Sequence, residues 1–262
     1  MPLSTFYAIK AMHISDKKNI TIIHLDEVDS TNDTARALLD AGRIRGETLI
    51  VARFQRRGRG RGKRTWLSPG KMNLTVSYVF FPAFLSPSHQ FYLSATVSLA
   101  VYDVISYYAT GVTIKWPNDI YVRNDKIAGI LIENSIEGNK FNSCIAGIGI
   151  NVNEKEFDLS LPNPTSLYLA TGKMYDTNAV LDMLITHLQS RIGLLKESKG
   201  DLLMNEYIKK LYLLNRYFTY RTPGGRIMAK IVGVDDFGRL NLLDNKGQLH
   251  LYMIDEAELI RE

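Results

Sequence analysis

The chain has 262 residues, of which 45% are hydrophobic and 23% charged, and this composition excludes a disordered or fibrous protein. Its one cysteine, Cys144, excludes an intramolecular disulfide and a multi-cysteine metal site, so we expect this residue to fill a small space in the core. No signal peptide opens the sequence and no apolar run approaches roughly 18 residues, which predicts a cytoplasmic protein without membrane contact.

Strands and helices alternate in the first part of the sequence. Residues 1–20 are weakly patterned and fit either a strand or an ordered arm. The next stretch predicts a strand, a turn and a helix, because Ser30 is a good N-cap, Asp33 follows three positions later and Gly42 can end the helix. Further strands are predicted in ETLIVARF and MNLTVSYVF, and a helix in HQFYLSATVSLAVYDVISYYA.

The middle of the sequence contains four short strand candidates, VTIKW, DIYV, KIAGILIE and SCIAGIGINVN. Tight turns separate them, so we expect them to be antiparallel neighbours. Two helices are predicted near residues 177–197 and 201–214. Together these elements predict an α+β fold with a mixed, largely antiparallel sheet flanked by helices.

After Asn215 the pattern changes to short alternating strands, which are separated by the turn sequences PGG, DFG and NKG. This spacing is typical of a small β-barrel. We therefore predict a large domain of residues 1–215 and a C-terminal barrel of residues 216–262.

The segment FQRRGRGRGKRTW, residues 54–66, is dense in arginine, lysine and glycine, and it carries much of the formal net charge of +5. Free backbone N–H groups and guanidinium forks can converge on one anion, which favours a phosphate-containing ligand or nucleic acid. A second cluster begins at Lys115, which ends a strand beside Pro117, and Gly129 in KIAGILIE permits close approach of a ligand. A surface charge and a catalytic role fit Lys115 equally well.

Together, the segments DSTND, GRGRGKRTW and KWPNDIYV followed by KIAGILIE resemble the biotin protein ligases, the biotin–[acetyl-CoA-carboxylase] ligase family. The resemblance extends through GIGINVN and TSL to the C-terminal strands. It implies the fold of the biotin and lipoate ligases, which is similar to that of class II aminoacyl-tRNA synthetases. The loop departs from the usual Gly-Arg-Gly-Arg-x-Gly-Arg-x-Trp pattern at Lys63, where glycine is usual, and at Arg57, where a small residue is common.

The resemblance also implies the reaction. The carboxylate of biotin attacks the α-phosphate of ATP to give biotinyl-5′-AMP, and a lysine of a biotin carboxyl carrier protein domain then takes the biotinyl group. No protein nucleophile is needed, because catalysis rests on positioning and electrostatic stabilisation. Mg²⁺ is expected to arrive with ATP, and no dedicated metal site is predicted in the protein.

By matching position, the resemblance implies that Arg59 and Lys115 are catalytic. It implies a nucleotide site that also includes Arg61 and Asn151, although Asn151 fits a turn equally well, and Trp66 fits packing as well as adenine contact. The residues implied to bind biotin are Ser30, Thr31, Asn32, Gln55, Arg59, Gly60, Arg61, Lys115 and Gly129.

Two alternatives remain open. A lipoate–protein ligase shares the fold and the adenylation chemistry, and a basic nucleic-acid-binding protein would also use the arginine-rich loop. Some biotin ligases carry an N-terminal DNA-binding module, but here the matching segment begins near His24. We therefore expect no repressor function and no specific DNA binding.

Overall fold

The computed structural model describes residues 12–17, 19–62, 64–66 and 72–260. The predictions for residues 1–11 and for Lys63 lie outside these ranges. The helices are α1 (Thr31–Asp40), α2 (Phe91–Tyr108), α3 (Leu167–Thr171), α4 (Thr177–Lys196) and α5 (Gly200–Lys209). The strands are β1 (Met12–Lys17), β2 (Ile20–Val28), β3 (Thr48–Gln55), β4 (Leu74–Phe80), β5 (Val112–Lys115), β6 (Asp119–Val122), β7 (Asp125–Glu137), β8 (Lys140–Ile150), β9 (Tyr217–Thr222), β10 (Gly225–Val234), β11 (Leu240–Asp244), β12 (Leu249–Tyr252) and β13 (Glu258–Leu259).

In the described residues, eight strands form one mixed sheet in the order β1-β2-β3-β4-β8-β7-β6-β5. Strands β2 and β3 pair in parallel, and the other neighbours pair antiparallel. The prediction that β5 to β8 are antiparallel neighbours is confirmed, and so is the α+β class. The arginine-rich loop connects β3 to β4 in the middle of this sheet.

The two faces of the sheet differ because successive side chains of a strand point to opposite sides. One face packs against α2, α4 and α5 and forms the larger of two apolar clusters. Cys144 is fully buried in this cluster, as predicted. Burial raises the pKa of its thiol far above the ordinary value. The opposite face carries α1, whose Ala35 and Leu38 pack against Ile50 and Ile145. No described helix is long and apolar enough to cross a membrane.

The predicted helix start at Ser30 is confirmed, since its side chain accepts a hydrogen bond from the Asp33 backbone N–H at 3.4 Å. The helix predicted for residues 201–214 is wrong at its end, because α5 stops at Lys209. The following backbone instead pairs with β5, where Ile114 donates to the Lys210 carbonyl and accepts from the Tyr212 N–H, each at 2.8 Å. Hydrogen bonding to a sheet edge replaces the helical bonds there.

The C-terminal strands form a second antiparallel sheet in the order β12-β11-β10-β9-β13. Within the described part of the chain, no pairing joins β12 to β13, so this unit is an antiparallel sheet and the closed barrel is not observed. Its turn at Gly238 touches the main sheet, because the Gly238 carbonyl accepts from the Trp116 indole N–H at 3.0 Å. The division of the chain at residue 215 into two domains stays a prediction.

Candidate active site

A buried polar cluster lies where α1 begins over the middle of the main sheet. The backbone N–H and the hydroxyl of Thr31 both donate to Gln55 Oε1, at 2.7 and 3.0 Å. Ser77 Oγ lies 2.7 Å from Thr31 Oγ1 and 2.5 Å from Asn32 Oδ1. These side chains and Ser30 are buried, so hydrogen-bonding groups line a site largely shielded from water.

The Asn32 side chain occupies the space above Gly147 on β8. A Cβ at Gly147 would lie 2.5 Å from Asn32 Oδ1, so any larger residue there would displace the amide. The other end of the amide donates from Nδ2 to Glu133 Oε2 at 2.7 Å. The orientation of Asn32 is therefore fixed from two sides.

Arg59 extends from the loop to two carboxylates at the edge of this polar cluster. Its guanidinium donates to Asp33 of α1 and, at 2.6 Å, to Glu133 Oε1 of β7. Partial burial alone would raise the pKa of Glu133, but hydrogen bonds from Asn32 and Arg59 and the charges of Arg59 and Arg36 hold that pKa below its ordinary value. Glu133 is thus ionised at neutral pH.

The loop closes on itself through two backbone hydrogen bonds. Gly60 donates to the Arg64 carbonyl and Trp66 donates to the Gly58 carbonyl, each at 2.8 Å. Glycine is required at position 58, because a Cβ there would collide with the Trp66 carbonyl and approach Gln55 Nε2 at 2.8 Å. One open, strongly cationic pocket of the loop is lined by Arg56, Arg57, Gly58, Arg59, Gly62, Arg64 and Thr65.

The Trp66 indole packs against a glycine pair in the main sheet. Gly129 of β7 and Gly149 of β8 are direct partners, and a Cβ at Gly149 would overlap the indole while one at Gly129 would reach it at 3.0 Å. The indole Nε1 is buried and has no hydrogen-bond partner among the residues that the structure describes. Two glycines side by side therefore form a platform that accepts a flat ring.

Two lysines flank Asp119 beside this platform. Lys126 forms an ion pair with Asp119 at 2.7 Å, and its Nζ lies 5.8 Å from the centre of the Trp66 ring. Lys115 is the cross-strand partner of Asp119, and Asp119 is in turn the partner of Gly129, so these positions face the same side of the sheet.

Lys115 also borders the C-terminal sheet. Its Nζ lies 3.3 Å from the Tyr121 hydroxyl, and the residue borders a cavity of about 40 Å³. The other residues lining this cavity are Trp116, Tyr212, Leu213, Tyr220, Ile231, Leu240, Ala257 and Leu259.

Arg61 joins the loop to the C-terminal unit by an ion pair with Asp255. Burial lowers the pKa of this guanidinium, and the charge of Asp255 offsets that effect only in part. Its NH1 is buried without a hydrogen-bond partner in the described ranges. Arg61 therefore combines a charge with unused hydrogen-bonding capacity.

Asn151 lies in the connection that follows β8. Its Nδ2 donates to the Thr165 carbonyl at 2.9 Å, which anchors the connection before α3. Its Oδ1 is buried and accepts no hydrogen bond from any described residue. The side chain thus supports a turn and leaves one acceptor open.

The structure brings most of the predicted residues to one face of the sheet. The polar cluster contains Ser30, Thr31, Asn32 and Gln55, and Arg59 and Gly60 lie in the loop beside it. Gly129 lies under Trp66, whereas Arg61 pairs with Asp255 of the C-terminal unit and Lys115 borders that unit. The sequence analysis did not predict Ser77, Glu133 or Lys126 as site residues. Lys126 and Glu133 are the first and last residues of the KIAGILIE segment, and their place in that segment was the signal that could have identified them.

Comparison with known proteins identifies the class. The model of the biotin/lipoate A/B protein ligase family matches residues 25–151. The chain is 31% identical to the bifunctional ligase/repressor BirA of Bacillus subtilis over 89% of this chain and 73% of that protein. It is 30% identical to the biotin–[acetyl-CoA-carboxylase] ligase of Paracoccus denitrificans over 86% of this chain and 95% of that protein. The fold and the site therefore define a protein ligase of the biotin and lipoate class.

A solved structure extends the match into the C-terminal sheet. The biotin protein ligase of Aquifex aeolicus, in complex with biotin and ATP, superposes with a TM-score of 0.77 at 29% identity, and the match covers 92% of this chain and 99% of that one. The chain belongs to the biotin protein ligase family and is an enzyme of that type.

Proposed function

We propose that this protein activates biotin with ATP and transfers the biotinyl group to a lysine of a biotin carboxyl carrier protein domain. The observation that carries this proposal is the arrangement on one face of the sheet, where a buried neutral hydrogen-bonding cluster adjoins a cationic loop through Arg59. A substrate with a neutral polar ring and a carboxylate tail matches that arrangement.

The polar cluster suits the ring end of biotin. Its ureido group has two N–H donors and one carbonyl acceptor, and Thr31, Asn32, Gln55 and Ser77 supply both donors and acceptors in a buried setting. Ser30 caps α1 at the same place, so the polar groups are fixed to a helix and a sheet.

The loop suits the reacting end. We assign Arg59, Arg61, Lys115 and Lys126 to the biotin carboxylate and the α-phosphate, two anionic groups that repel each other until cations neutralise them. An oxygen of the biotin carboxylate attacks the α-phosphorus and forms a P–O bond. The bond from the α-phosphorus to the bridging oxygen breaks, and pyrophosphate leaves with that electron pair.

The adenine would lie near the Trp66 platform, with Asn151 Oδ1 open to a donor such as the adenine amine. Mg²⁺ would arrive with the triphosphate. Within the described ranges, no group of three His, Cys, Asp or Glu side chains is placed to hold a metal, and the carboxylates that face the loop are paired with Arg or Lys. Those carboxylates suit loop organisation better than metal coordination.

In the second half-reaction, the acceptor amine attacks the carbonyl carbon of biotinyl-5′-AMP. The amide bond forms, AMP leaves with the electron pair of the carbonyl–oxygen bond, and the amine loses its proton. The Paracoccus relative is named for acetyl-CoA carboxylase, which supports a carboxyl carrier domain as the partner. The cytoplasm remains the compartment that we propose.

One assay tests this function. The purified protein is incubated with ATP, Mg²⁺ and labelled biotin or lipoate, first alone and then with a biotin-acceptor domain. We expect biotinyl-5′-AMP and pyrophosphate without acceptor, and labelled acceptor after its addition. Turnover of lipoate but not of biotin would instead establish the alternative ligase.

A further inference from the structure

We propose that Glu133 is a positioning residue that couples Arg59 to Asn32, so that the carboxylate end and the ring end of the biotin site become ordered together. This inference rests on the proposed function. Its basis is one carboxylate that serves both groups: Oε2 accepts from Asn32 at 2.7 Å and Oε1 accepts from Arg59 at 2.6 Å. The side chain is only 18% exposed, so water competes weakly for either oxygen.

The first role of Glu133 concerns the orientation of an amide. An ionised carboxylate can only accept hydrogen bonds, so it selects the orientation of Asn32 in which Nδ2 faces Glu133. The opposite end, Oδ1, then faces Ser77 at 2.5 Å. Without a fixed negative acceptor, the Asn32 amide could turn over and present a donor where the site has an acceptor.

The second role concerns the position of a charge. Arg59 is flanked by Gly58 and Gly60, and glycines leave the backbone many conformations, so the loop by itself fixes this guanidinium weakly. Asp33 on α1 and Glu133 on β7 hold it from two directions. Of these two carboxylates, Glu133 is the one that accepts a hydrogen bond from the Asn32 side chain, and it thereby links the loop to the buried polar cluster.

Substitution by the isosteric neutral residue tests the coupling. Glu133→Gln keeps the shape but removes the charged acceptor, and its amide accepts either orientation of Asn32. We expect the KM for biotin to rise about tenfold to a hundredfold, the range for losing a hydrogen bond to a charged group. We expect the KM for ATP to change less than about threefold, because the loop retains its other cations.

Two comparison variants separate this role from general stabilisation. Asp33→Asn also neutralises a charged partner of Arg59 but leaves the hydrogen bond from Asn32 to Glu133 in place, so its effect on the KM for biotin should be smaller. Glu137→Gln lies on the exposed end of the same strand and should behave as wild type. A fall in melting temperature with equal rises in both KM values would show that Glu133 only supports the fold, and an unchanged KM for biotin would also overturn the proposal.

A double-mutant cycle addresses the coupling itself. In the wild-type background, the effects of Arg59→Gln and Asn32→Ala on the KM for biotin should be non-additive, and in the Glu133→Gln background they should become additive. Coupling that persists without Glu133 would contradict the inference.

Hydrogen exchange of the ligand-free protein supplies a readout independent of activity. Glu133→Gln should speed exchange both in loop residues 56–62 and at the start of α1, whereas Glu137→Gln should change neither. Faster exchange in only one segment, or in neither, would overturn the coupling. A wild-type protein that makes no biotinyl-5′-AMP would refute the proposed function, but this exchange pattern would still decide whether Glu133 links the two segments.

Discussion

Replacement of Lys126 by alanine should slow adenylation by more than the accompanying loss of folding stability can explain. The ammonium lies 2.7 Å from Asp119 and faces the Trp66 ring beside the cationic loop. Removing one preorganised charge contact costs about 3 to 4 kcal/mol of transition-state stabilisation, roughly a hundredfold to a thousandfold in rate. The lost ion pair should cost about 1 kcal/mol of folding free energy, or roughly 2 to 4 °C in melting temperature.

The measurement is single-turnover formation of biotinyl-5′-AMP from labelled biotin, ATP and Mg²⁺ without acceptor. Lys115→Ala is the matched comparison, because Lys115 flanks the same aspartate but contacts the Tyr121 hydroxyl and borders the cavity beside the C-terminal sheet. We expect it to slow adenylation less than Lys126→Ala does. A normal rate in Lys126→Ala together with a large loss in Lys115→Ala would refute this reasoning and leave Lys115 as the reacting cation.

Three further predictions concern the platform, the loop and nucleic acid. Gly149→Ala should displace Trp66 and slow adenylation at least about tenfold in a protein that still melts cooperatively, whereas Gly193→Ala, in open space on α4, should leave the rate unchanged. Equal rates in the two variants would show that the platform is unimportant. Asp255→Asn should weaken the hold on Arg61 and speed tryptic cleavage within residues 56–64 of the ligand-free protein, and biotin plus ATP should slow that cleavage. Glu258→Gln, which removes a charge from a different ion pair, serves as the control. Cleavage that ligands leave unchanged would argue against ordering of the loop. Any binding to duplex DNA should be nonspecific and should fade between about 50 and 200 mM salt, so a tight, salt-resistant complex measured by fluorescence anisotropy would contradict a ligand-specific loop.

Local chemistry made much of the fold predictable. The cap at Ser30, the turns between β5 and β8 and the alternation of the strands each depend on residues close in sequence. The end of α5 was not predictable in this way, because Ile114, about 100 positions earlier, supplies the competing hydrogen bonds. The turn sequences likewise indicated short C-terminal strands but not whether the edge strands β12 and β13 pair to close a barrel.

The site residues also differ in whether nearby sequence or distant contacts reveal them. Gln55 ends β3 and Arg59 lies in the loop that follows, and the composition of this segment is itself a signal. Ser77 instead lies inside an apolar strand, where a buried serine looks like packing. Glu133 is the last residue of the KIAGILIE segment, and only the tertiary structure places it beside Asn32, which is 101 positions away. Lys115 was predicted from its proline corner and the family resemblance, whereas Lys126 was not among the predicted residues, and only the tertiary structure shows that Lys126 lies close to the Trp66 ring.

The buried thiol of Cys144 makes the protein convenient for site-directed spectroscopy. It is the chain's one cysteine, it is fully buried, and its raised pKa keeps the reactive thiolate scarce under labelling conditions. A cysteine introduced at the exposed position of Arg57 would therefore react with a maleimide dye while the native thiol stays unmodified. A second introduced cysteine at exposed Lys246, in the C-terminal turn, would allow the distance between the loop and the C-terminal sheet to be followed in single molecules through a catalytic cycle, without first removing a native residue.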